Sequence, residues 1–336
     1  MWQKLLVCDV DKTLTASALG FDIFVFIAAG IFLFLYSKRE KKYLAHLGTM
    51  MLGVLIFEIF TAPMWHNIHF GRFAYIYLDV SWILTLGWAV LLLSVVTLVD
   101  MYLPKLPVYW RFICYLAGMS ILGFIAEISV VNLGLRTYSP EILNTVVGTY
   151  LWGVPIEAFY YIAVMSALVI SFHKYLAYAI NETALIPERR KNHLRSFIAT
   201  IIGVFLFELM VEPMISNNNF PSWSYLYDDI TLILTGMWIF LIWLGISIVD
   251  HFFLHWNLIK KFIAYFLIAG AFALPMEYFL ILNGFQVYSE SVMNNFTGFV
   301  TPFINLPVEI AFAVPLYMSL VIAFIKYWEL MLVNKR

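Results

Sequence analysis

The stretch Gly53-Val54-Leu55-Ile56-Phe57-Glu58-Ile59-Phe60-Thr61-Ala62-Pro63 returns as Gly203-Val204-Phe205-Leu206-Phe207-Glu208-Leu209-Met210-Val211-Glu212-Pro213. The pairing runs on at the same offset: Tyr75 with Tyr225, Tyr77 with Tyr227, Asp79 with Asp229, Trp88 with Trp238, Asp100 with Asp250. It continues through Glu127 with Glu277, Gly134 with Gly284, Tyr138 with Tyr288 and Gly148 with Gly298. After two inserted residues it resumes as Pro155 with Pro307, Glu157 with Glu309 and Lys174 with Lys326. The chain is an internal duplication. Lipid-facing positions need only be apolar, so a Glu kept twice inside an apolar helix needs a reason.

Composition sets the class. The chain is 63% hydrophobic and only 12% charged, with a positive mean hydropathy. That balance belongs to a multi-span membrane protein. Cys8 and Cys114 make neither a disulfide framework nor a metal-ligand set. There is no Lys/Arg-rich arm or stripe of the kind that binds nucleic acid.

Apolar stretches long enough to cross a bilayer fall near 20–37, 45–63, 78–100, 110–133, 147–173, 196–213, 228–250, 260–283 and 298–326. The fold class is therefore all-α and membrane-integral, with about nine transmembrane helices. Four belong to each repeat and one is left over. An even number per repeat makes the copies parallel. The segments are an N-terminal piece over 1–19, a first repeat with its leading helix over 20–176, a basic linker over 177–194 and a second repeat over 195–336. One set of loops and ends collects Lys38, Arg39, Lys41, Lys42, Lys105, Arg111, Lys174, Arg189, Arg190, Lys191, Arg195, Lys260, Lys261, Lys326, Lys335 and Arg336. The other set holds Lys4, Lys12, Arg72 and Arg136. The positive-inside rule then places the N-terminus outside and the C-terminus inside. Asn181-Glu182-Thr183 matches a glycosylation sequon but falls on the cytoplasmic side.

The carboxylates follow from this frame. Asp79 and Asp229 open the third and seventh helices, where an acid caps the N-terminus. Asp100 and Asp250 end the same helices as interfacial anchors. Glu58 and Glu208 lie near the outer ends of the second and sixth helices, Glu127 and Glu277 in the outer third of the fourth and eighth. Glu157 and Glu309 are expected about a dozen residues into the fifth and ninth, just past Pro155 and Pro307. A proline there would kink the helix and present the Glu inward. Glu58, Glu127 and Glu157 should form one interior cluster, and Glu208, Glu277 and Glu309 a second. A buried carboxyl tends to remain a neutral acid, which suits it to protonate a carbon–carbon double bond. For any one Glu a structural interhelical hydrogen bond explains as much. Duplication of three at one level favours function. Tyr150, Trp152, Phe159, Tyr160 and Tyr161 surround the first Pro-x-Glu, and aromatic faces can stabilise a carbocation.

His66, His69, His251 and His255 are not duplicated as histidines, so a His-rich metal enzyme is not expected. There is no phosphate-cradling Gly loop, no Gly-x-Ser-x-Gly, and no paired Asp-rich motif for Mg²⁺–diphosphate. Neither a metal nor a cofactor is expected. Leu5-Leu6-Val7-Cys8-Asp9-Val10-Asp11-Lys12-Thr13-Leu14-Thr15 resembles the first motif of haloacid-dehalogenase-type phosphatases. That resemblance would make Asp9 a nucleophile and Asp11 a general acid/base. It covers these residues alone, and the chain enters the membrane directly afterwards, so the motif reads as an orphan.

The run Glu127-Ile128-Ser129-Val130-Val131-Asn132-Leu133-Gly134-Leu135-Arg136-Thr137-Tyr138-Ser139-Pro140, then Gly148 and Gly153-Val154-Pro155-Ile156-Glu157-Ala158-Phe159-Tyr160, resembles the membrane-integral, flavin-independent lycopene cyclase domain family. Leu306-Pro307-Val308-Glu309 with Phe312, Pro315 and Tyr317 matches the last part of that pattern. The family's second Glu is Ala158 in one copy and Ile310 in the other, and each repeat carries an additional helix, with Glu58 or Glu208. The resemblance implies a tandem-repeat cyclase that acts on a linear carotenoid without redox change. Glu157 and Glu309 would be acids, with Glu127 and Glu277 as base or partner. Glu58 and Glu208 would replace the missing second Glu. Tyr138, Tyr288, Tyr150, Trp152, Phe159 and Tyr160 would line the substrate.

The expected function is thus an isoprenoid cyclase of the cell membrane that takes a hydrophobic isoprenoid or lipid substrate from the bilayer. Parallel repeats and intramembrane acids equally describe a proton-coupled carrier, and a non-catalytic lipid-binding protein is the third alternative.

Overall fold

A computed structural model describes residues 11–145, 147–182, 193–302 and 305–333. Among them are nine helices long and apolar enough to span a membrane. The protein is an all-α, multi-pass integral membrane protein. Its chain divides into two compact units, Met1–His173 and Lys174–Arg336. Asp9, Cys8, Thr183 and the Arg189-Arg190-Lys191 cluster lie outside the described residues.

In the first unit α1 (Ala16–Ser37) precedes α2 (Tyr43–Thr61), α3 (Trp82–Tyr102), α4 (Val108–Asn132) and α6 (Ala158–Ile180), with a short α5 (Pro140–Thr145) before α6. Three small strand pairs decorate the connections. β1 (Trp65–Asn67) follows α2 and pairs with β4 (Arg136–Tyr138), which follows α4. β2 (Tyr75–Tyr77) pairs with β3 (Val80–Ser81), and β5 (Tyr150–Leu151) with β6 (Val154–Pro155). The isolated bridge Leu14↔Phe70 adds the start of α1 to the same end. The β1–β4 pair fixes both hairpin-bearing connections at one end of the unit. The loops 38–42 and 103–107 then fall at the other end, where Arg39 reaches Met101.

The second unit repeats this order. α7 (His193–Val211), β7 (Ile215–Asn217), β8 (Tyr225–Tyr227), β9 (Ile230–Thr231), α8 (Leu232–Phe252), α9 (Leu258–Leu282), β10 (Gln286–Tyr288), α10 (Glu290–Asn294) and α11 (Val308–Val333) follow in sequence. The strand register is duplicated as well: Asn67↔Arg136 becomes Asn217↔Gln286, and Trp65↔Tyr138 becomes Ile215↔Tyr288.

Helices in lipid gain no hydrophobic drive from meeting each other, so close backbone approach matters. The duplicated glycine supplies it. A Cβ on Gly53 would stand 3.1 Å from Val169 and Phe172 on α6. A Cβ on Gly203 would stand 3.1 Å from Val321 on α11. Gly123 on α4 does the same against Ile162 and Trp88. The leading helix α1 has no copy. Its buried residues Ala18, Asp22, Val25 and Ala29 form one stripe, and it packs on α3.

The structure corrects three expectations. The fifth and ninth long helices begin at Ala158 and Val308, not near 147 and 298. Pro155 and Pro307 therefore do not kink a helix. They lie before it, Pro155 in β6 and Pro307 in a bridge with Val300. The prolines inside helices are Pro275 of α9 and Pro315 of α11. Finally, Asp79 and Asp229 are not caps. The N-cap positions are Ser81 and Thr231, and Thr231 accepts from the Leu234 amide.

Candidate functional site

In the first unit, three elements carry polar side chains to one place. α2 brings Glu58, α4 brings Glu127, and β4 brings Arg136 and Tyr138. Residues two apart on a strand share a face, so Arg136 and Tyr138 both reach Glu127. Arg136 Nη1 donates to Glu127 Oε2 at 2.7 Å and Tyr138 Oη donates to Oε1 at 2.8 Å. Arg136 Nε donates to Asn67 Oδ1 at 2.9 Å, and the guanidinium lies over the Trp65 ring. The Asn67 amide is itself oriented by donating to the Asp79 carbonyl. Both carboxylate oxygens of Glu127 are thus engaged by strong donors in a buried setting.

Glu58 is held differently. Thr85 donates to one carboxyl oxygen, and the other accepts no hydrogen bond among the described residues. Glu58 and Glu127 both line a cavity of about 40 Å³. Phe57, Trp65, Trp88, Tyr138, Tyr161 and Met165 complete most of its wall, and Arg136 lines it too. Burial, reinforced by the Glu127 charge, raises the Tyr138 phenol well above its ordinary range. It therefore remains a donor under all physiological conditions.

Glu157 does not join this cavity. It directly precedes α6, and its carboxyl accepts the Val147 amide at 2.9 Å. Glu309, near the start of α11, accepts the Thr297 amide at 2.7 Å and the Thr297 hydroxyl. Both carboxylates close a loop onto a helix N-terminus, where a negative charge is favoured. The expected clusters of three are therefore pairs, Glu58 with Glu127 and Glu208 with Glu277. The aromatics of the first Pro-x-Glu also spread out. Tyr150 and Trp152 are exposed on the β5–β6 hairpin. Phe159 stacks on Phe124, and Tyr160 leans on Tyr161. Of that neighbourhood, Tyr161 faces the cavity.

The second unit keeps Glu208, Glu277 and Tyr288, whose hydroxyl donates to Glu277. Burial and the Glu277 charge raise the Tyr288 phenol well above its usual value. Where the first unit has Arg136, the second has Gln286.

Arg136, Asn67 and Thr85 were not singled out by sequence. Arg136 counted only as an outer basic residue. Its spacing of two from Tyr138, and its exchange for Gln in the copy, are the signals that mark it.

Beside the site, His66 Nδ1 lies 2.9 Å from Asp79 Oδ2. The orphan motif forms a turn and a cap. The Thr13 amide donates to Asp11 at 2.9 Å, and Thr15 caps α1 through the Ala18 amide. The Thr13 contacts, backbone first, and then His69 lower the Asp11 carboxyl below its ordinary value.

No family model, no curated protein and no solved structure matches this chain.

Proposed function

We propose that this chain is a membrane-integral isoprenoid cyclase-like enzyme that closes a ring at the end of a linear polyene, lycopene being the representative substrate, by acid–base chemistry alone. One observation supports the reading. Glu58 and Glu127 open on the same aromatic cavity and are held in opposite ways. Arg136 and Tyr138 engage both oxygens of Glu127, as suits an anion. Glu58 has a hydroxyl on one oxygen and, among the described residues, no donor on the other. Two carboxyls and one guanidinium are charge-balanced when one proton is present, and the cation stands on Glu127. The proton then belongs to Glu58. Carboxyl pairs held in contrasting environments divide into acid and base.

In the proposed cycle Glu58 gives its proton to the terminal double bond, leaving a tertiary cation. The neighbouring double bond attacks that cation and the ring carbon–carbon bond forms. Glu127 removes a proton from the adjacent ring carbon and leaves a ring double bond. Return of that proton to Glu58 resets the site. No electrons enter or leave, so product and substrate have equal mass. Trp88 and Tyr161 line the cavity, and aromatic rings there would stabilise the intermediate cation. The cavity of about 40 Å³ is smaller than the ring to be formed, so the proposed reaction requires its side chains to move apart as the chain end enters. The site would serve the cell membrane, with the basic loops 38–42 and 103–107 on the cytoplasmic side.

The test is expression in a lycopene-accumulating bacterium, followed by pigment separation and mass analysis. A cyclised product of unchanged mass, absent with Glu58→Gln, supports the reading. Membrane-inserted protein that leaves lycopene and shorter acyclic polyprenes untouched overturns it.

A further inference from the structure

The second unit contains buried acceptor oxygens that no donor reaches among the described residues. Glu208 Oε1, Asn217 Oδ1 and Gln286 Oε1 accept no hydrogen bond among the described residues. These side chains are only 3%, 6% and 4% exposed. The Thr235 hydroxyl, also buried, likewise makes no hydrogen bond among the described residues. Buried polar atoms are nearly always satisfied, so each of these four asks for a partner.

The first unit shows what that place holds. Asn67 and Arg136 are cross-strand partners in β1–β4, as Asn217 and Gln286 are in β7–β10. Arg136 satisfies the Asn67 carbonyl oxygen and bonds Glu127, while Thr85 bonds Glu58. Glu58, Glu127 and Arg136 all line one cavity, so these positions converge. The equivalents Glu208, Glu277 and Gln286 are set on the same elements in the same register. The Asn217 amide is fixed in orientation, since its nitrogen donates to the Asp229 carbonyl at 2.7 Å, as Asn67 does to Asp79. Its oxygen is therefore the atom turned toward residue 286. Replacement of Arg by Gln removes a positive charge and the forked guanidinium donors, leaving only the amide N–H groups, yet keeps both carboxyls.

We infer that the second unit binds a monovalent alkali cation of the Na⁺ class between Glu208, Asn217, Thr235 and Gln286, at the position that the Arg136 guanidinium occupies in the first. The ligand set is carboxyl, amide carbonyl and hydroxyl oxygen, which is hard-cation chemistry. Among the described residues no three His, Cys, Asp or Glu side chains form a metal-binding group, so softer transition metals lack their ligands. A single positive charge reproduces the balance of the first unit, where one guanidinium serves two carboxyls. That argues for a monovalent ion over Ca²⁺. The site shares no residue with the proposed acid–base pair, so either can fail without the other.

The full-length protein in detergent is unfolded thermally in NaCl, in choline chloride and in CaCl₂, at equal ionic strength. Saturable stabilisation by NaCl over choline is expected, about 5 °C when Na⁺ is in hundredfold excess over its Kd. Gln286→Arg supplies its own cation and should be indifferent to the salt. Should that variant fail to fold, Thr235→Val is the second probe and should raise the NaCl midpoint about tenfold. Equal unfolding temperatures in NaCl and choline overturn the inference, as water then satisfies the oxygens. An undiminished Na⁺ response in Gln286→Arg, or an unmoved midpoint in Thr235→Val, does the same. Stabilisation by Ca²⁺ with none from Na⁺ overturns the monovalent assignment.

Discussion

Arg136 Nη1 stands 2.7 Å from Glu127 Oε2, and both side chains are 5% exposed. It is a buried ion pair between the C-terminal end of α4 and the strand that follows it. Its equivalent in the second unit is Gln286 with Glu277. The two copies thus share a backbone and two carboxyls but differ by one charge. Desolvation makes a buried pair a weak source of net stability, yet breaking one strands the other charge.

Arg136→Gln gives the first unit the side chain that the second has. Glu127 would then be buried without its cation, and Asn67 would lose its donor. A loss of about 3–5 kcal/mol is expected, read as a fall of roughly 10 °C in the thermal unfolding midpoint. A midpoint equal to wild type would show that Gln solvates Glu127 as well as Arg does.

His66 and Asp79 give a pH dependence. The Asp79 hydrogen bond raises the His66 imidazole above its ordinary 6.5, opposed by burial and assisted by the Asp79 charge. A group whose folded pKa exceeds its unfolded value binds its proton more tightly when folded. The pair's contribution is therefore complete below about pH 6.5 and lost as pH rises through the folded value. His66 is partly solvated, so the effect should stay under about 1 kcal/mol. His66→Ser, which installs the residue of the second copy, should flatten the Tm-against-pH curve between pH 6 and pH 9. A wild-type curve that rises across that window would reverse the sign and remove the ion pair as its cause.

The glycines of the quoted stretch can be separated from the rest. Gly53→Ala must push Val169 or Phe172 aside, and Gly203→Ala must push Val321. Overpacking of this kind costs about 1–3 kcal/mol. Gly20, Gly30 and Gly48 have nothing within 4 Å of a built Cβ. Ala at these positions should be neutral or stabilise by up to about 1 kcal/mol. Unfolding midpoints of the five variants check the contrast, and equal effects in both groups would mean the close approach carries no packing.

Duplication made the helices and the strand-bearing ends legible, because a position kept in both copies reports a constraint on backbone or site. Gly53, Glu58 and Glu127 were found this way. The same signal is blind to what the copies do not share. Arg136 is unpaired by Gln286, and Asp22 sits on α1, which has no copy. Asp22 is buried, and neither of its carboxyl oxygens has a hydrogen-bond partner among the described residues. Hydropathy also misplaced the starts of α6 and α11. Tyr150-Leu151-Trp152-Gly153-Val154 is as apolar as a helix, but positive φ at Gly148, Trp152 and Gly153 turns it into a hairpin. Period, rather than mean hydropathy, separates such a hairpin from a helical turn. That error carried Glu157 a dozen residues into a helix, whereas it lies just before α6.

The acids therefore provide the sharpest test. Glu58→Gln keeps an oxygen to accept from Thr85 and keeps the volume of the side chain, but it has no transferable proton. Conversion of a confirmed substrate should fall by about 10²-fold or more, the scale a general acid contributes, with folding retained. Glu157→Gln keeps an oxygen to accept the Val147 amide, so it should convert near the wild-type rate. Glu157→Leu removes that acceptor and should cost about 1 kcal/mol of stability through the loop, again without a proportionate loss of turnover. Product yield per inserted protein, with unfolding midpoints alongside, separates the cases. If Glu58→Gln converts normally while Glu157→Gln is dead at full stability, the proton comes from the start of α6. The cavity between Glu58 and Glu127 would then be packing around an ion pair, and the division of acid and base drawn from it would have to be abandoned.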